Sequence, residues 1–170
     1  NMKWWNYLLI IFFAVLILAA VLHSNGYALS VTGAINKMNV EVDEIYYDTQ
    51  YKDSTVLIYR TDNLLCDGVV DEISFLYHWN FSTCSAEFIQ TFNEEASTSI
   101  SNHQPHFWEG DNDYITIASG VIYNDAITAI NVVFKNEQVP AEIIDTTYGR
   151  IWFAFSSEPV NYTPELVFSY

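Results

Sequence analysis

The chain has 170 residues, 51% of them hydrophobic and 16% aromatic, with 21 Asp and Glu against six Lys and Arg for a formal net charge of −15. Every acidic residue lies beyond position 40, and the basic residues after the first 22 are only Lys37, Lys52, Arg60, Lys135 and Arg150. A body this acidic repels phosphate backbones, so no nucleic acid is expected as a partner, and the absence of GxSxG, HExxH, P-loop or GxGxxG patterns argues against the corresponding enzyme classes.

Residues 4–22 read WWNYLLIIFFAVLILAAVL, with no charge and Asn6 as the one strongly polar side chain. Nineteen helical residues at about 1.5 Å each match the roughly 30 Å of a bilayer's hydrocarbon core. Trp4, Trp5 and Tyr7 crowd one end, as amphipathic rings do at a headgroup boundary. Lys3 on the N-terminal side places that end in the cytoplasm by the positive-inside rule. Residues 1–22 therefore read as a single-pass cell-membrane anchor with everything after it outside the cytoplasm. The alternative is secretion after signal cleavage. Against it, the run is longer than a signal peptide's apolar region, and Gly26-Tyr27-Ala28 is a mediocre cleavage site.

Residues 23–39 carry Gly, Ser and Asn without an acid and read as a juxtamembrane linker, with Ala28, Val31, Ala34, Ile35 and Met38 roughly helix-spaced. A β-rich domain is expected over 40–170. Residues 40–47 and 55–60 are Val-, Ile- and Tyr-rich runs that read as strands, and Asp67-Gly68 reads as a turn. Ile73, Phe75, Tyr77, Trp79 and Phe81 alternate as one aromatic face of a strand. Ser82 or Thr83 would then cap the one helix of the domain, with Ala86, Phe88, Ile89, Phe92 and Ala96 as its apolar stripe. Residues 97–113 are polar and turn-rich.

The last third reads as strands at 114–123, 126–134, 139–145, 151–156 and 165–169, separated by turn chemistry, which predicts an antiparallel β-sandwich or meander. Its expected core is Ile130, Val132, Phe134, Val139, Ala141, Ile143, Ile151, Phe153 and Phe155, with Gly120 marking a bulge. Ser119-Gly120-Val121-Ile122, residues 127–134 and 141–144, and Arg150-Ile151-Trp152-Phe153 resemble small, single-span, uncharacterised extracytoplasmic proteins of Gram-positive bacteria. That resemblance implies an address and no activity.

Cys66 and Cys84 form an even pair without CxxC spacing, which outside the cytoplasm predicts a structural disulfide. His103 and His106, followed by Glu109, Asp111 and Asp113, are the residues that could hold calcium or zinc, although Pro105 breaks the helix that would align the imidazoles. Phe107 and Trp108, together with Tyr148, Arg150 and Trp152, could form an aromatic and cationic binding patch. These residues predict a non-catalytic binding or interaction module facing another envelope protein. The alternative is a small metal-dependent envelope enzyme or cation-binding domain built on the 103–113 loop.

Overall fold

The computed structural model describes residues 4–38, 40–51, 53–89, 94–104, 114–135 and 137–170. Helix α1, Trp4–Ser24, is apolar on all sides and buries none of its side chains. It is long and apolar enough to cross a membrane or to serve as a signal sequence. After it come strand β1 (Tyr27–Ala28) and a short helix α2 (Val31–Ile35). Ser30 caps α2, its hydroxyl accepting from the Gly33 amide at 3.0 Å. Part of the stretch expected as linker is thus built into the domain: β1 pairs with a strand of the first sheet, and Ala34 and Ile35 are buried against that sheet.

The remaining strands are β2 (Glu44–Tyr51), β3 (Ser54–Thr61), β4 (Leu64–Ile73), β5 (Leu76–Glu87), β6 (Ser99–His103), β7 (Ile115–Ile122), β8 (Ala129–Phe134), β9 (Glu137–Pro140), β10 (Glu142–Asp145), β11 (Arg150–Ser156) and β12 (Glu165–Ser169). They form three antiparallel sheets, in the orders β1-β5-β4-β3-β2, β10-β11-β7-β6 and β12-β8-β9. The mainly β, antiparallel class expected from the sequence is the one found.

Two apolar interfaces stack these sheets. Val56, Ile58, Leu65, Val69 and Ala86 of the first sheet meet Ile115, Ile117, Val121, Ile151 and Phe153 of the second. On the second sheet's other face, Ala118, Ile122, Trp152 and Ala154 meet Ile130, Val132 and Phe134 of the third. The four-stranded sheet is therefore the middle layer. That explains why every residue of β7 is buried, and why ITIASGVI reads as a nearly continuous run of apolar and small residues. A third cluster, Leu57, Tyr59, Cys66 and Val70, packs the outer face of the first sheet against Ala28, Ala34 and Ile35. The nine expected core residues divide between the two inter-sheet interfaces, with Val139, Ala141, Ile143 and Phe155 only partly buried.

Several local expectations are corrected. Asp67-Gly68 is no turn but the middle of β4, where Gly68 leaves room for the Trp79 ring, 2.6 Å from where a Cβ would stand. The turns fall instead at Asp62-Asn63 and Ser74-Phe75, with Asp62 at φ 50° and Ser74 at φ 61°. Where the helix was expected to begin after Ser82, β5 continues through Glu87, and Phe92 of the expected stripe lies outside the described residues. Two register shifts in the β4–β5 ladder leave Asn80 and Ser85 as extra residues on β5, which breaks the period-two pattern there. The same shift splits the expected aromatic face: Tyr77 and Trp79 pack on the outer side of the sheet, while Phe81 lies against His103. Residues 97–113 contain a strand, β6, and the 139–145 run divides at Ala141 into β9 and β10 of different sheets.

Gly120 sits in unbroken register opposite Trp152 and marks no bulge. A Cβ there would lie 1.8 Å from the carbonyl oxygen of Ser97 and 2.6 Å from Trp152 Nε1. The glycine is needed because another backbone crosses directly over it.

Candidate functional site

The inward face of β6 is polar at each alternate position: Ser99, Ser101 and His103 all point toward the first sheet and all are buried. Facing them is β4, which contributes Asp67 and Asp71, four residues apart on one face and also buried. Ser101 Oγ donates to Asp67 Oδ1 at 2.5 Å, and His103 Nε2 lies 3.2 Å from Ser101 Oγ and 3.5 Å from Asp67 Oδ1. Asp71 accepts from Ser54 Oγ at 2.6 Å and from Asn80 Nδ2 at 2.7 Å, and Ser85 bonds to Ser99 across the same seam. Both extra residues of β5 are thus spent on this seam: the bulges aim Asn80 and Ser85 where a regular ladder would not.

Serine, histidine and aspartate lie together here, but the arrangement differs from a nucleophilic triad. In a triad the aspartate holds Nδ1 while Nε2 takes the serine proton. Here serine and aspartate share the Nε2 edge, the serine proton is already given to Asp67, and among the described residues Nδ1 has no hydrogen-bond partner. The side chains of His103 and Asp67 are each 1% exposed, and the Phe81 ring packs edge-on at 5.0 Å. The grouping is an internal polar cluster that pins two sheets together, buried among the described residues.

Of the proposed metal ligands, His103 is the buried residue just described, and His106, Glu109, Asp111 and Asp113 lie outside the described residues. Among the described residues no three His, Cys, Asp or Glu converge as a metal site. Phe107 and Trp108 of the expected binding patch also lie outside them.

The patch's other members are not brought together as one surface. Tyr148 is half exposed and packs under the Arg60 guanidinium, 4.0 Å from its ring centre, with Phe88 beside it. Arg150 is turned elsewhere, held by Asp145 Oδ1 at 3.2 Å and the Ile127 carbonyl at 2.8 Å. Trp152, the remaining candidate for the patch, is fully buried, its indole N–H donating to the Ser97 carbonyl at 3.0 Å. A strand-start tryptophan in RIWFAF alternates with Ile151 and Phe153, and burial of both faces of the middle sheet decides the outcome.

Cys66 and Cys84 are bonded, S–S 2.08 Å, across neighbouring strands β4 and β5 beside the Ser85 bulge. The bridge clamps the hairpin that carries Asp67 and Asp71. Near it, burial pushes the Tyr59 hydroxyl above its usual range; a hydrogen bond with Ser82 opposes this and the charge of Asp67 adds to it. No family model, curated protein or solved structure matches the chain.

Proposed function

We propose that this is a single-pass membrane protein whose acidic, disulfide-stapled β domain works by contact on the outer side of the membrane. The observation that carries the reading is α1, whose large apolar side chains are bare on every face while the rest of the chain completes its own core without them. A helix of that kind needs lipid as its solvent. The Cys66–Cys84 bond suits an oxidising compartment. The excess of acidic residues favours a basic surface on another envelope protein.

The test is short-arm chemical crosslinking in intact cells, followed by purification of the full chain. A discrete adduct whose yield falls as salt rises supports the reading. A chain that is recovered alone at every ionic strength refutes it.

A metal-dependent reading on the 103–113 loop would have to do without His103 Nε2, which faces Asp67 and Ser101.

A further inference from the structure

After α1 the chain turns straight back on itself. Gly26 takes φ 85°, a left-handed conformation open to glycine, and β1 then pairs with β5 close to the Ser74-Phe75 turn. This leaves a groove of about 500 Å³ between α1 and the domain. Val15, Leu18, Ala19 and Leu22 of α1 line one side, and Leu29, Phe75 and Leu76 of the domain line the other. No acidic residue lines it; its ionisable side chains, Tyr27 apart, are His23 and Lys37.

Resting on the membrane-spanning reading above, we infer that this groove holds an acyl chain of a phospholipid from the leaflet on the domain side, with its phosphate beside Lys37. Three observations point to that occupant. The first is position. Val15 precedes the end of α1 by nine residues, about 13 Å of helix, which is close to the depth of one leaflet in a core of roughly 30 Å. The second is exposure. Phe75 is 72% and Leu29 78% exposed, at the tips of segments that otherwise pack well, and both stand beside a helix that itself needs lipid.

The third is charge. The chain before residue 41 contains no acid, so a collar with Lys37 and His23 separates the acidic body from the bilayer. Lys37 Nζ is held over the groove by donating to the Tyr27 carbonyl and, at 3.4 Å, to that of His23. Among the described residues it has no carboxylate partner, so a headgroup phosphate supplies the missing anion. The Ser74-Phe75 hairpin is then a wedge that seats the domain on the membrane rather than leaving it on a free tether.

The probe is phosphatidylcholine carrying a photoactivatable diazirine on its acyl chain, diluted into phosphatidylcholine vesicles bearing the full chain. Flotation with the vesicles tests the membrane-spanning reading by itself. Photolysis and peptide mapping then test the groove. The expected result is lipid adducts on Leu29, Phe75 and Leu76 as well as on α1. The variant Ala19→Trp fills the groove from the helix side and keeps α1 apolar, so it should lower the domain adducts at least threefold while leaving those elsewhere on α1. Adducts confined to α1 in a chain that floats would overturn the inference, as would Phe75 joined to a second copy of the chain. A chain that does not float overturns the inference together with the reading it rests on.

Discussion

Substituting Gly120→Ala should be among the most damaging single-atom changes available to this chain. The new Cβ would meet the Ser97 carbonyl oxygen at 1.8 Å, its carbon at 2.7 Å and Trp152 Nε1 at 2.6 Å. Ordinary contact would require the 97 backbone to retreat by roughly 1.5 Å. That backbone is held on three sides: Ser97 N donates to the Val121 carbonyl at 2.9 Å, Val121 N donates to Ser97 Oγ at 2.8 Å, and the Trp152 indole donates to the Ser97 carbonyl at 3.0 Å. Retreat strands a buried indole N–H, at about 1–3 kcal/mol, and overpacking adds about 1–3 kcal/mol. The expected loss is about 3–5 kcal/mol, a large share of the roughly 5–15 kcal/mol that holds a domain together. At about 3–4 °C per kcal/mol for a body of this size, the melting temperature should fall by about 9–20 °C. Urea and thermal unfolding of the full chain in detergent, followed by tryptophan emission, measure it. The double variant with Trp152→Phe should cost less than the two single changes together, because both lose the same hydrogen bond. A Gly120→Ala protein within 1 kcal/mol of the parent by either method, an outcome on the order of ordinary surface changes, would refute this account of the crossing.

Asp67→Ala should cost about 1–3 kcal/mol by leaving the Ser101 hydroxyl buried without its acceptor. A double-mutant cycle with Ser101→Ala should give a coupling of about 1 kcal/mol or more, and zero coupling would contradict the cluster. Reducing Cys66–Cys84, which lie 18 residues apart, should lower stability by about 3 kcal/mol in calorimetry with and without dithiothreitol; an unchanged melting temperature would show that the hairpin holds without it. The Tyr59 hydroxyl titrates above its ordinary 10.0 when folded, so the unfolded chain loses that proton first and stability should fall as pH rises beyond about 10. Tyr59→Phe should flatten that alkaline slope, and an unaltered slope would argue that other tyrosines govern it.

The parts of the fold that were legible in the sequence are those where one physical effect dominates. Residues 151–156 and 130–134 alternate or run apolar because they lie in or against the middle sheet, and both were readable as strands. The N-terminal apolar helix was readable because nineteen uncharged residues in a row hold no break for it. The Ser99–His103 strand was hidden because its buried face is Ser, Ser and His, so polarity reported solvent where it should have reported a polar seam. Its signal existed only in combination: Asp67 and Asp71 four apart inside an apolar run call for buried donors elsewhere. β5 does not read as one continuous strand because Asn80 and Ser85 are inserted into its ladder, and a bulge erases the alternation from which a strand is recognised. Trp152 reads as a patch candidate from the company of Tyr148 and Arg150, but only the stacking of three sheets determines that both faces of β11 are covered.

The central claim is that Trp4–Ser24 stays in the bilayer and carries the β domain outside. Protease treatment of intact spheroplasts expressing the full chain, followed by immunoblotting of carbonate-washed membranes, tests it most directly. The account predicts a full-length band that is retained in the washed membranes and lost to external protease without lysis. A full-length chain in the soluble fraction, or one cut only after the cells are opened, would contradict it.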